Sequence, residues 1–137
     1  MKPKFSLSII FFTLSIVLFS FSKNNIESYQ DITSIHLVEI PENVKPILDA
    51  KCMGCHSNES KPGKSKTKLN FDKIADGSYS NGKMISKFGK MVKTLGENKM
   101  PPKKLLAKYP DKKLTAEESK VLIDWANKQK LILNKEL

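Results

Sequence analysis

The chain has 137 residues, a formal net charge of +10, two cysteines and two histidines, and every one of its 24 cationic side chains is a lysine. Nucleic-acid readers ordinarily use arginine for bidentate contacts to guanine and phosphate, so the absence of arginine disfavours that class of function. The length suits one compact domain with a thin hydrophobic core. A domain of this size often needs a staple such as a metal or a bound cofactor.

The N-terminus predicts export. Lys2 and Lys4 precede a long apolar stretch, and Ser20 and Ser22 are small residues at the −3 and −1 positions of a cleavage site. This pattern is typical of a secretory signal peptide over residues 1–22. An uncleaved N-terminal anchor is the alternative, because the apolar run approaches the roughly 20 residues of a membrane span. In both cases we expect a periplasmic or other extracytoplasmic location.

The next segment, residues 23–40, is polar with scattered Ile and Val and is predicted to be an N-terminal arm. The folded domain is therefore expected over residues 41–137. Pro41 and Pro46 indicate the start of a short helix that runs into the cysteines, because proline is tolerated in a first helical turn. Residues 57–68 lack hydrophobic periodicity and are rich in turn formers, so they are predicted to be a surface loop.

Later segments predict two longer helices. Turns are expected at Asp76-Gly77 and Asn81-Gly82. Apolar residues then recur at three- and four-residue steps over residues 83–95, which indicates an amphipathic helix ended by Gly96 as its C′ residue. Thr115-Ala116-Glu117-Glu118 is a capping box that opens a helix through about residue 130. Since no alternating strand pattern occurs after the N-terminal segment, the predicted fold class is all-α.

The chemistry-bearing motif is Cys52-Met53-Gly54-Cys55-His56, the C-x-x-C-H signature of covalent haem attachment. Two thiols three residues apart on one helical turn can add to both vinyl groups along one porphyrin edge. The adjacent imidazole then projects across the ring face toward the iron. The motif predicts one haem c, bound through Cys52 and Cys55, with His56 as the proximal iron ligand.

The same residues allow two other interpretations, a redox dithiol and a zinc site. A thioredoxin-type dithiol usually follows a strand in an alternating α/β pattern, which this sequence lacks. A zinc site would need His36 beside Cys52, Cys55 and His56, and the adjacent Cys55 and His56 would hardly reach one tetrahedral ion together. Haem attachment is therefore the preferred prediction.

The predicted distal iron ligand is Met100, which stands in an otherwise polar loop and is followed by two prolines that restrict the backbone. A thioether is soft and neutral, so it stabilises ferrous iron and raises the reduction potential. Met84 and Met91 are alternatives, but they lie on the apolar face of a predicted helix, where methionine is usually core filler. An open distal position and ligation by His36 are the remaining alternatives.

The order of these motifs resembles the haem-binding-domain family of exported bacterial cytochromes c. The resemblance covers about residues 41–130 and rests on the attachment motif, Leu69-Asn70-Phe71, Met100-Pro101-Pro102 and Leu122-Ile123-Asp124-Trp125-Ala126. It implies proximal ligation by His56, distal ligation by Met100 and packing of Trp125 within the domain. The lysine-rich residues 59–68 depart from the family's pattern, which has an aromatic, proline-containing stretch after the attachment motif.

Taken together, these residues predict a small cytochrome c-like helical domain wrapped around one covalent haem, acting in electron transfer and not as an enzyme. The sequence has no paired carboxylates, no plausible Ser/His pair and no phosphate-binding glycine loop. The alternatives are a peroxidase-like haem enzyme or ligand sensor from which Met100 dissociates, and a cytochrome subunit of a larger oxidoreductase. The lysines are either a solvated surface or a docking face for an acidic-faced redox partner.

Overall fold

The computed structural model describes residues 37–137. Within this range the chain forms seven α-helices, one 3₁₀ helix and no β-strand, which confirms the predicted all-α fold. The predicted signal segment and most of the predicted arm lie outside the described residues. None of the helices described here is long and apolar enough to cross a bilayer. In chain order they are α1 (Lys45–Lys51), α2 (Met53–His56), α3 (Lys64–Lys68), α4 (Phe71–Ala75), α5 (Asn81–Gly96), α6 (Lys103–Leu106), the 3₁₀ helix (Pro110–Lys112) and α7 (Ala116–Lys135).

The short helix predicted before the cysteines is confirmed as α1. Pro46 lies in its first turn, where a missing N–H breaks no helical hydrogen bond. Val44 and Leu48 are buried in the core on the same side of the helix. The attachment motif therefore follows a helix that is already fixed by hydrophobic packing.

Two loop predictions are wrong. The surface loop predicted over residues 57–68 contains α3, a helix without buried residues. The Lys66 Nζ donates to the carbonyl oxygen of Asn58. A lysine hydrogen bond, and not a buried apolar face, therefore connects α3 to the segment before it. The turn predicted at Asn81-Gly82 is instead the first turn of α5, whereas the turn at Asp76-Gly77 is confirmed, with Gly77 at a φ of 72°.

The amphipathic helix predicted over residues 83–95 is confirmed within α5, which buries Met84, Phe88, Met91 and Leu95. Its predicted end is wrong in detail. Gly96 is the last helical residue, and the residue in the left-handed region is Asn98, at a φ of 50°. Asparagine tolerates that region better than most residues because its short polar side chain can bond locally.

The capping box at the start of α7 is confirmed. Glu118 N donates to Thr115 Oγ1 at 3.0 Å, and Thr115 N donates to Glu118 Oε2 at 2.8 Å. The helix runs to Lys135, five residues beyond its predicted end. Its buried face packs against α5, and the residues on that face are Leu122, Trp125, Ala126, Gln129 and Leu133.

Trp125 is the centre of an aromatic group, as the resemblance implied. Its ring centroid lies 5.2 Å from that of Phe88 in an edge-to-face arrangement and 6.4 Å from that of Phe71. The indole Nε1 donates to the carbonyl oxygen of Glu39 at 3.2 Å, and the adjacent Val38 is buried. The last residues of the predicted N-terminal arm are therefore part of the packed domain.

Replacing Thr115 with alanine should lower the free energy of unfolding by about 1 kcal/mol, because the side-chain acceptor for the N–H of Glu118 is lost. Urea unfolding followed by far-UV circular dichroism measures the change. Thr115→Ser is the matched control, since it keeps the hydroxyl and should remain within about 0.5 kcal/mol of wild type. Equal losses in both variants would mean that the hydroxyl is not the stabilising group.

Candidate cofactor site

A cavity of about 660 Å³ opens beside the attachment motif. Its volume falls within the range of roughly 300–1,000 Å³ that is common for small-molecule and cofactor sites. The wall is formed by α2, α3, α4, α5, α7 and the segments between them. Its apolar members are Leu69, Phe71, Met91, Leu95, Met100 and Leu122.

The attachment motif forms one tight turn at the junction of α1 and α2. The backbone N–H groups of Cys55 and His56 both donate to the Cys52 carbonyl oxygen at 3.1 Å. Cys52 is half-buried and lines the cavity, as does His56, whereas Cys55 is exposed and is not a lining residue. Of the three predicted haem-binding residues in the motif, Cys52 and His56 therefore line the cavity, and Cys55 lies on the same helical turn outside the lining.

The His56 imidazole has a defined orientation. Its Nδ1 lies 3.0 Å from the carbonyl oxygen of Leu69. A carbonyl can only accept, so this bond assigns the proton to Nδ1 and leaves a lone pair on Nε2 for a metal. The Phe71 ring stands edge-on to the imidazole, with centroids 6.2 Å apart. Such an outer hydrogen bond fixes the tautomer and ring orientation of metal-binding histidines.

The three methionines considered as distal ligands differ in burial and in their position relative to the cavity. Met100 is half-buried and lines the same cavity as His56. Met91 is 6 % exposed and also lines that cavity, whereas Met84 is 1 % exposed, belongs to the core and does not line it. Met53 packs partly against the core at the start of α2. His36, the other candidate ligand, lies outside the described residues.

The environment of Cys52 does not suit a redox dithiol. Burial, the neighbouring Cys55 thiol and Glu118 together raise the pKa of Cys52 to about 12. The attacking thiol of a thioredoxin-type dithiol has a pKa of about 7 or below, because the thiolate is the nucleophile. Residues 37–137 also contain no group of three or more His, Cys, Asp or Glu side chains placed to hold a metal ion.

Four lysines contribute to the cavity wall, from α3 and α5: Lys64, Lys68, Lys87 and Lys90. Lys87 is only 9 % exposed, and its Nζ donates to the Lys68 carbonyl oxygen at 2.5 Å. Burial, followed by the charges of Lys83, Lys90 and Lys73, lowers the pKa of Lys87. The cavity therefore combines apolar walls with concentrated positive charge.

These residues fit a haem. The apolar walls suit the faces of a porphyrin, and the lysines suit its two carboxylate side chains. Cys52 and Cys55 supply thiols on one helical turn, and the Nε2 of His56 supplies a nitrogen donor to iron. The thioethers of Met100 and Met91 are soft donors in the same cavity.

Two reciprocal lysine bonds join the attachment helix to the chain that follows Met100. The Lys51 Nζ donates to the Asp111 carbonyl oxygen, and the Lys112 Nζ donates to the Ala50 carbonyl oxygen at 2.7 Å. Both acceptors are backbone carbonyl oxygens, so these two bonds are not salt bridges to carboxylates. The pair fixes the 3₁₀ helix against the C-terminal end of α1, directly before Cys52.

The double variant Lys51→Gln/Lys112→Gln should unfold with a free energy about 1–2 kcal/mol lower than wild type, because two hydrogen bonds between distant segments are lost. Hydrogen exchange should also accelerate in the 3₁₀ helix and α6. Lys108→Gln/Lys113→Gln is the control, with the same change in charge and no such bonds. If urea unfolding gives the same loss for both pairs, the effect comes from net charge and not from the two bonds.

The sequence did not predict two features of the candidate site: the backbone carbonyl that orients His56, and the lysine bonds between segments far apart in the chain. The Leu69 carbonyl that orients His56 has no side-chain signature, although the Leu69-Asn70-Phe71 motif marked the place. Asn70 fixes that segment, because its side chain donates to Asn58 Oδ1 at 2.9 Å and accepts from Lys73 N at 3.2 Å. The bonds of Lys51 and Lys112 link residues about 60 positions apart, a separation that no local pattern reveals.

Comparison with known protein families gave a match over about half of the chain. Residues 63–128 match the family model described as a haem-binding domain. The matched segment begins after His56 and contains α3 to α6, Met100 and Trp125. Neither the search of curated proteins nor the search of solved structures gave a match.

Proposed function

We propose that the chain is a monohaem c-type cytochrome that transfers single electrons outside the cytoplasm; residues 63–128 match the family model described as a haem-binding domain. Haem binding follows from the family, and the c-type attachment is the first part of the proposal. The observation that carries it is a single cavity lined by Cys52, His56 and Met100 together. A covalent-attachment motif, a nitrogen donor and a thioether donor thus meet around one space of suitable size.

Cys52 and Cys55 are the attachment residues. Each of these thiols would hold the haem by adding across one of its vinyl groups, with the sulfur bonding to one carbon and the hydrogen to the other, so that no oxidant would be consumed. The backbone N–H groups of Cys55 and His56 both donate to the Cys52 carbonyl oxygen, which keeps the two cysteines on one helical turn.

His56 is the proximal ligand in this proposal, with Nε2 toward iron and Nδ1–H on the Leu69 carbonyl. The hydrogen bond holds the ring in one orientation and increases the electron-donating strength of Nε2. Met100 is the distal ligand. When bound, the haem would supply a one-electron couple between ferric and ferrous iron, and His56 and Met100 would hold the iron in both states.

Electron transfer is favoured over peroxide chemistry by the composition of the cavity. Peroxide cleavage needs an acid–base group close to the distal side of the iron. The described residues that line the cavity include no carboxylate and no imidazole besides His56. The other described polar groups in the lining are lysines, hydroxyls and the Cys52 thiol.

The location and the partner are further parts of the proposal. The signal-like residues 1–22 support export to the periplasm or another extracytoplasmic compartment, with a membrane tether if that segment is not cleaved. The net charge of +10 supports docking to a redox protein with an acidic face. The lysines that line the cavity place part of this charge close to the proposed haem.

Optical and electron paramagnetic resonance spectra of the purified ferric protein test the proposed ligation. We expect a low-spin centre with a methionine-to-iron charge-transfer band and slow binding of carbon monoxide after reduction. Rapid binding of carbon monoxide and peroxide by a high-spin centre would instead support the haem enzyme or sensor.

A further inference from the structure

A second cavity, of about 400 Å³, lies next to the proposed haem cavity. Thr67 of α3 lines both, so one short helix separates them. We call this second space the lysine cavity, because three lysines from three different helices line it. Its polar and aromatic lining residues are Lys66, Lys73, Lys83, Thr67, Asn70 and Tyr79.

Two of the three ammonium groups that line the lysine cavity, those of Lys66 and Lys83, contact groups without negative charge. The Lys66 Nζ donates to the carbonyl oxygen of Asn58 and lies 3.5 Å from that of Ser60. The Lys83 Nζ lies over the Tyr79 ring, 4.9 Å from its centroid. Each ammonium has three donors, so both lysines retain donors for a ligand.

Positive charge is concentrated around this cavity. Lys73, Lys83 and Lys90 each lower the pKa of Lys87, whose own Nζ is 4.5 Å from the Tyr79 ring centroid. These cations therefore repel one another across a short distance. No carboxylate is among the described residues that line the lysine cavity.

Two acidic side chains close to Lys73 in the sequence, Asp72 and Asp76, accept hydrogen bonds from other residues. Asp72 accepts a hydrogen bond from Asn58 N at 2.6 Å. Asp76 accepts one from Ser78 N at 2.9 Å, and hydrogen bonding by the Ser78 side chain, then by its backbone, with a smaller contribution from the charge of Lys73, lowers the pKa of Asp76. Neither carboxylate occupies the space between the lysines.

We propose that the lysine cavity binds a small multivalent oxyanion, such as phosphate or a tricarboxylate, and that the bound anion tunes the haem beside it. Ammonium groups and a threonine hydroxyl offer the charge-assisted hydrogen bonds that such oxygens accept. The cavity volume admits a small molecule, and three cations that line one cavity favour a multivalent anion over a monovalent one.

The regulatory part rests on the proposed function. An anion beside the haem stabilises the ferric state, which carries one more positive charge than the ferrous state. It therefore binds the ferric protein more tightly, and by linkage it lowers the reduction potential. A threefold preference for the ferric form would correspond to about 28 mV, taken from 59 mV per tenfold for one electron.

Isothermal titration calorimetry of the haem-loaded protein with inorganic phosphate, and separately with citrate, tests the site. We expect saturable binding of one anion per chain, with chloride far weaker. Lys73→Gln/Lys83→Gln should weaken binding at least about tenfold, the effect of losing about 1.4 kcal/mol. Lys108→Gln/Lys113→Gln changes the net charge equally, lines neither cavity and should stay within about twofold of wild type.

Three outcomes would overturn the proposal: no saturable binding, equal weakening in both double variants, or equal affinity for the ferric and ferrous forms. The first would mean that the carboxylates of the haem already satisfy these lysines. The proposed function fails separately, if the purified chain carries no covalent haem. In that case the calorimetric difference between the two double variants still reports on the anion site.

Discussion

Replacing Met100 with leucine is expected to convert the low-spin iron into a five-coordinate, carbon monoxide-binding centre and to lower its reduction potential by on the order of 0.1 V, within the roughly 0.8 V that axial ligands can span. Leucine keeps the volume of the side chain and removes the sulfur. The substitution therefore removes the proposed iron ligand and leaves the packing of the side chain nearly unchanged. The charge-transfer band, the rate of carbon monoxide binding and a potentiometric titration measure the change.

Met91→Leu and Met84→Leu are the matched controls. Met91 lines the same cavity, so Met91→Leu tests whether the thioether of Met91 is the iron ligand. Met84 is buried in the core away from the cavity, so its variant reports on packing alone. We expect both to keep the charge-transfer band and to change the free energy of unfolding by less than about 1.5 kcal/mol. If Met91→Leu opens the iron and Met100→Leu does not, Met91 is the ligand.

The double variant Cys52→Ala/Cys55→Ala should lose essentially all covalently attached haem, because no other cysteine is present in the chain. Each single variant should retain attachment through one thioether bond. Haem staining of denaturing gels, after expression with a working cytochrome c maturation system, measures the attached fraction. The double variant should also be less stable, because the apolar walls of a cavity of about 660 Å³ lose their filling.

Gly54→Ala is the control for the attachment motif. A methyl group built at this position meets no atom within 4 Å, so the substitution changes the motif without a clash. We expect full haem attachment in Gly54→Ala. Undiminished covalent haem in Cys52→Ala/Cys55→Ala would show that the two thiols are not the points of attachment.

The sequence predicted the elements that buried apolar residues or local caps define. The spacing of Met84, Phe88, Met91 and Leu95 indicated α5, and the Thr115 capping box indicated α7, because both signals act within one helix. The missed helix α3 has no buried residue, and lysine bonds to backbone carbonyls hold it. The turn signal of Asn81-Gly82 was overridden because α5 gains more from burying its apolar face than it loses at two unfavourable positions.

The sequence predicted those residues of the candidate site that belong to a recognisable motif. The attachment motif and the proline-flanked Met100 pointed to residues that line one cavity, with Cys55 exposed beside them. The sequence could not show that Met91 reaches the same cavity while Met84 does not, since both occupy the apolar face of one helix. Nor could it show the Leu69 carbonyl, because a backbone acceptor has no residue type of its own.

The pyridine haemochrome of the wild-type protein, recorded after acid–acetone extraction of non-covalent haem, tests the central claim most directly. A c-type spectrum with one haem per chain, retained through the extraction, is the predicted result. Haem that leaves with the solvent, or a chain that carries none after expression with the maturation system, would contradict attachment through Cys52 and Cys55.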